Sequence, residues 1–111
     1  MMRPKTVTLT AAGTSQAVPL DYYTNGYAIG ITKTNAVKYT LQHSFTDPGS
    51  TNLNAAGGGV WINHDDTVAV NASAATVNTN YAYPPRAARI VVASAQTGAS
   101  IVWTIVPLGA M

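Results

Sequence analysis

The chain has no cysteine, no glutamate and a single phenylalanine in 111 residues, and only 9% of it is charged. The missing cysteines exclude a disulfide framework, thiolate zinc sites and thiol catalysis together, and they leave the redox compartment open. Six basic residues (Arg3, Lys5, Lys33, Lys38, Arg86, Arg89) stand against four aspartates (Asp21, Asp47, Asp65, Asp66), for a net charge of +2. The basic residues are dispersed, without the clustered footprint that a phosphate backbone selects, so nucleic acid is not an expected partner. No apolar run approaches the roughly 18 residues of a membrane helix. Thr6-Val7-Thr8-Leu9-Thr10 alternates where a secretory h-region would be continuous, so a cytoplasmic product without a membrane partner is expected. An ordinary soluble domain is about one-quarter charged. A chain this poor in charge cannot shield all its sheet edges and apolar patches, which makes association with other chains, its own copies included, the first functional expectation.

What is present is strand pattern, almost from end to end. Thr6 to Thr10 places Val7 and Leu9 on one face and threonines on the other. Val18 and Leu20 suggest a short strand that Pro19 confines to an edge or a bulge. After Asn25-Gly26, a tight-turn dipeptide, Tyr27 to Thr32 alternates large with small residues, and close packing over Ala28 and Gly30 is expected. Val37 to Phe45 is the cleanest strand, with Val37, Tyr39, Leu41, His43 and Phe45 on one face. Ser50 to Gly59 has linker composition and reads as an exposed, mobile loop. Val60-Trp61-Ile62, Thr67 to Val70 and Ala75-Thr76-Val77 read as three further short strands, and residues 89–93 and 101–106 as a hairpin around Thr97-Gly98. The pattern predicts one all-β domain, an antiparallel β-sandwich, jelly-roll-like, of about seven or eight strands. Its expected limits are residues 6–107, with an arm at 1–5 and a tail at 108–111. The predicted core is Val7, Leu9, Ile29, Ile31, Tyr39, Leu41, Ile90, Val92, Ile101, Trp103 and Ile105.

Chemistry is sparse. His64-Asp65-Asp66 with His43 and Asp47 is the one concentration of acid/base or ligand groups, yet it lacks an HExxH or comparable spacing. His43, between core positions of its strand, is expected to be a buried, hydrogen-bonded histidine, and no metal or other cofactor is expected. No serine lies in a Gly-x-Ser-x-Gly elbow, and Gly57-Gly58-Gly59 lacks the Lys and Ser/Thr of a phosphate-binding loop, so no catalytic residues are assigned. The six tyrosines and two tryptophans exceed what chemistry requires and suit core packing or protein interfaces. Tyr22-Tyr23 and Tyr81-x-Tyr83 flank turns and are expected at the surface. Arg3 and Lys5, on an arm that Pro4 keeps extended, are placed to meet acidic groups of a neighbour.

The strand Val37-Lys38-Tyr39-Thr40-Leu41-Gln42-His43-Ser44-Phe45 running into Asp47-Pro48, the Trp61-x-Asn63-His64-Asp65 turn, and Tyr83-Pro84-Pro85-Arg86-Ala87-Ala88-Arg89 with the strands after it span residues 20–107. In these features the chain resembles small virion proteins of tailed bacteriophages, most closely capsid decoration (cement) proteins. The resemblance implies a β-sandwich that binds the outer surface of a capsid and stabilises the shell without doing chemistry. Its partners would be the major capsid protein and further copies of itself, most simply as a homodimer, and its location the virion exterior after synthesis in the host cytoplasm. Arg3, Lys5, Tyr22, Tyr23, Tyr81, Tyr83 and Arg86 are the contact residues expected under this reading. A fibre, spike or neck component with carbohydrate-binding tyrosines is the alternative, a cellular carbohydrate-binding module is third, and an enzyme is the least expected.

Overall fold

A computed structural model describes residues 4–20, 26–81 and 85–107. Nine strand segments and one 3-10 turn make up the regular structure among them: β1 Lys5–Leu9, β2 Gly13–Thr14, β3 Val18–Pro19, β4 Tyr27–Thr34, β5 Val37–Ser44, β6 Ile62–Asn63, the turn Thr67–Ala69, β7 Thr76–Tyr81, β8 Ala87–Ala95 and β9 Ser100–Pro107. Two antiparallel sheets pack face to face. The first has the order β1-β9-β4-β7; the second runs β2-β8-β5-β6, with β3 also on β8. Gly13 and Thr14 lie opposite Val92 and Val91, and Val18 and Pro19 opposite Ala88 and Ala87, so β2 and β3 are two halves of one interrupted edge strand. Eight strand positions result, as the alternation predicts, and Pro19 sits on a sheet edge where its missing N–H costs nothing.

The pairings form a progression: β1 with β9, β2 and β3 with β8, β4 with β7, β5 with β6. The chain is one long antiparallel ribbon doubled back at residues 45–61 and rolled until β4 also meets β9 and β5 also meets β8. That is the topology of a jelly roll.

Between the sheets lie Tyr27, Ile29 and Ile31 of β4, Ile101, Trp103 and Ile105 of β9, Tyr39 and Leu41 of β5, and Ile90 and Val92 of β8, all buried. Each large aliphatic side chain removed from water here contributes about 1.5–3 kcal/mol. Val7 and Leu9, expected in the core, are only half buried. Strand β1 is an edge, and along it the sandwich opens into a groove of about 490 Å³ lined by Val7, Leu9 and Val18.

Three expectations are corrected. Residues 89–93 and 101–106 are not a hairpin: β8 and β9 belong to opposite sheets, and Gln96–Ala99 carries the chain across the sandwich. This crossover is clipped to the neighbouring one at Asn35-Ala36, where Asn35 adopts φ 63°, its Nδ2 donates to Gly98 O (3.2 Å), and Gln96 N donates to Ala36 O (2.9 Å). Thr67 to Val70 is a 3-10 turn capped by Asp66, whose carboxylate accepts from Val68 N, and not a strand. The Ser50 to Gly59 segment is the exposed loop expected, and its turns are held by Asp47 and Asn52 and anchored by buried Leu53. Gly59, at φ 81°, leaves the space that Leu53 fills. Finally, nothing packs closely over Gly30, where an added Cβ would meet only Asn78 Oδ1 at 3.9 Å.

Ser15 repairs the break between β2 and β3. Its backbone N–H donates to Ile90 O and its Oγ accepts from Ile90 N, both at 2.9 Å, so a side chain completes the ladder where the backbone has bulged away. Replacing Ser15 by Ala leaves a buried N–H without an acceptor and is expected to cost about 1–3 kcal/mol in urea unfolding. Trp103→Ala, at a fully buried position, is expected to cost about 3–5 kcal/mol by the same measurement. Losses near zero would show that these contacts do not hold the sandwich together.

Candidate interaction surface

The strand directions separate the two ends of the sandwich by purpose. At one end three connections are short, residues 10–12, Asn35-Ala36 and residues 96–99, while residues 64–75 reach β7 there after running along β5, bonded to Leu41 and Tyr39. At the other lie Lys5, Pro19, Tyr27, Ser44, Ile62, Tyr81, Ala87 and Pro107, the termini of eight paired strands, and longer stretches of sequence join β3 to β4, β5 to β6 and β7 to β8 from this end. Longer connections on a rigid scaffold are where binding residues concentrate.

Of the expected contact residues, Arg3, Tyr22, Tyr23 and Tyr83 lie outside the described residues. Lys5 is the exposed first residue of β1, opposite Ile105. Arg86 donates from Nη2 to Asp47 Oδ1 at 3.1 Å across the loop end, a partly exposed pair worth less than about 1 kcal/mol. Tyr81 departs from expectation. It is buried because it closes β7 opposite Tyr27, on the inward face, and its surface role is withdrawn. The reading of residues 75–77 as an isolated short strand missed this, since Thr76 to Tyr81 continues as one strand through polar Asn78 and Asn80. All three described residues nevertheless fall at the long-loop end.

Beside Tyr81 the structure gathers both histidines. His43 Nδ1 is 3.2 Å from the Tyr81 hydroxyl, and His43 and His64 each meet the Tyr81 ring edge-on, at centroid distances of 5.0 and 4.8 Å. His64 Nε2 contacts Thr79 Oγ1 at 2.6 Å, while its buried Nδ1 has no partner among the described residues. Among the described residues no three His or carboxylate groups converge as a metal-binding set. Asp47 is engaged with Arg86 and Asp66 caps the 3-10 turn.

Around this cluster apolar surface is exposed. Phe45, Val60 and Ile62 are 53%, 68% and 43% accessible. Ile62 pairs with His43, Phe45 packs edge-on against the His43 ring at 5.5 Å, and Val60 N donates to Thr46 Oγ1 beside it. These residues extend the inner face of β5 and β6 past the point where the opposing sheet covers it.

The residues that sequence reading missed lie on the outer face of the second sheet. Asn63, Gln42 and Arg89 stand in register across β6, β5 and β8. Gln42 Nε2 donates to Asn63 Oδ1 (3.0 Å), Arg89 Nε donates to Gln42 Oε1 (2.9 Å), and the guanidinium lies 4.1 Å over the Trp61 ring. The only trace of this row in the sequence is the polar parity of Gln42 and the Trp61-x-Asn63 spacing.

The chain matches no protein-family model, no curated protein and no solved structure.

Burial lowers the pKa of both His43 and His64; Asp65 opposes the shift at both, Asp66 opposes it at His64, and His64 reinforces it at His43. The folded protein therefore binds these protons less readily than the unfolded chain. The resulting stability is complete above the ordinary histidine pKa of about 6.5 and is lost as pH falls through the lowered folded values. The urea midpoint is expected to be level above about pH 7 and to decline below about pH 6.5, with a shallower decline in His43→Gln. A midpoint that rises on acidification would contradict this account.

Proposed function

We propose that the protein is a structural virion component that binds the outer surface of a bacteriophage capsid through its long-loop end and stabilises the shell as a decoration protein. The observation that carries the reading is the concentration of exposed Phe45, Val60 and Ile62 at the end where Lys5 and the Arg86–Asp47 pair also lie. A small apolar patch rimmed by polar groups is the ordinary composition of a protein-binding surface. The jelly roll supports the reading at the level of architecture, since viral capsid domains use it, as do lectin domains and cupins. The low charge supports it physically, because a surface with few charges to desolvate loses little on burial against a shell. The partner is the major capsid protein, with further copies of the chain as a second contact. Many weak contacts repeated over a shell then favour the assembled state by mass action.

Particles with and without the protein are the test. On this reading it is present in many copies on the shell, and its loss lowers the temperature at which capsids burst. Val60→Asp, at the most exposed of the three apolar positions, is expected to leave folding stability within about 0.5 kcal/mol and to weaken shell binding by at least about tenfold, which is ~1.4 kcal/mol. Location only at the tail or neck would favour a fibre or spike instead; equal shell stability and undiminished binding by the variant would remove the proposal.

A further inference from the structure

A second surface, on the outer face of the second sheet, has the chemistry of a ligand site. Between the segment Leu53 to Gly57 and the edge Thr14 to Gln16 is a cleft of about 500 Å³, and Arg89 lines it. That volume falls within the range of small-molecule sites, roughly 300–1,000 Å³.

Arg89 is held there with little freedom. The Trp61 ring covers one face of its guanidinium and Gln42 accepts from Nε; Asn63 in turn accepts from Gln42, and Trp61 is fixed by donating from Nε1 to Gly58 O at 2.9 Å. No carboxylate pairs with Arg89 among the described residues, and no acidic residue lines the cleft. Partial burial pulls the arginine pKa down, the expected effect of withdrawing a charge from water without compensation. A guanidinium fork, oriented and lacking an acid, matches a planar carboxylate in two parallel hydrogen bonds.

The rest of the cleft indicates what carries that carboxylate. Asn54 Oδ1 already accepts from Ala17 N at 2.7 Å, which leaves its amide NH₂ as donor; the Gln16 amide and the Thr14 hydroxyl have no side-chain partner among the described residues. A lone carboxylate occupies a small part of this space, and an aliphatic acid would leave the amides facing methylenes. Hydroxyls, which both donate and accept, satisfy such a lining. We propose that this cleft binds a carboxylate-bearing sugar, a hexuronate, with Arg89 on the carboxylate and Asn54, Gln16 and Thr14 on the ring hydroxyls. The site is walled by part of the 45–61 connection but is lined by none of Phe45, Val60 and Ile62, and the inference does not rest on the capsid reading.

The experiment is an NMR titration of the intact chain with glucuronate, galacturonate, glucose and acetate, following the Arg89 Nε–H and Trp61 indole resonances. At least one uronate is expected to bind saturably with Kd of about 1 mM, and glucose and acetate at least tenfold more weakly. Arg89→Lys keeps the charge but not the fork and is expected to weaken uronate binding about tenfold. Gln16→Ala, on an exposed position of the opposite wall, is expected to weaken it about threefold with the fold intact, which keeps the test valid if the Arg89 variant unfolds. Absence of uronate binding, equal binding of acetate and glucuronate, or affinities unchanged in both variants would overturn the proposal.

Discussion

The ladder that β8 and β9 form with their neighbours is the constraint on which the rest depends. Each of these last two strands is interior to its sheet: β9 joins β1 to β4, and β8 joins the β2/β3 edge to β5. Without them the first sheet is reduced to β4 paired with β7, the second to β5 paired with β6, and β1 has nothing to pair with. Trp103, Ile101 and Ile105, and Ile90 and Val92 facing them, arrive on the same two strands, so the ladder and the core close together. Pairings this distant in sequence make loop closure the dominant entropic cost before any contact rewards it, and folding on the slower scale of all-β domains follows.

Much of this was legible in the sequence, and the reasons for the failures are specific. Alternation identified β5 because it buries Tyr39, Leu41 and His43 against the other sheet and leaves Lys38, Thr40 and Gln42 outside, while β4, β8 and β9, whose outer faces also carry Ala28, Val91 and Val102, were marked by alternating side-chain size, β-branched runs and the turns beside them. Partnering was not legible. A turn at Thr97-Gly98 is equally compatible with a hairpin and with a crossover between sheets, and only the three-dimensional packing of Val92 against the opposite layer decides. Thr67 to Val70 has strand propensity but became a 3-10 turn, because Asp66 offers a capping carboxylate and Ala69 fits under the sheet where a longer side chain would not. The inward turn of Tyr81 required the register with Tyr27, and the row Asn63-Gln42-Arg89 required a three-strand alignment that no local window contains.

The two surfaces differ in kind. The long-loop end offers apolar area with a few charges at its margin, which suits a large partner whose contacts are individually weak. The sheet face offers a fixed cation in a polar cleft, which suits a small, directional ligand. The buried histidines stand between them: His43 touches Phe45 of the first, and His43 and His64 are the chain neighbours of Gln42 and Asn63, which hold Arg89 in the second.

The strand directions also decide how the molecule can be handled. Lys5 opens β1 opposite Ile105, two residues before β9 ends at Pro107, so the first and last strands of the roll leave it side by side. Lys5 and Pro107 thus lie on the β1–β9 side of the long-loop end, whereas Phe45 and Ile62 lie on its β5–β6 side. The Gln96–Ala99 crossover, at the opposite end with Gln96, Thr97 and Gly98 exposed, is the position from which a fluorophore or grafted epitope projects without touching that surface.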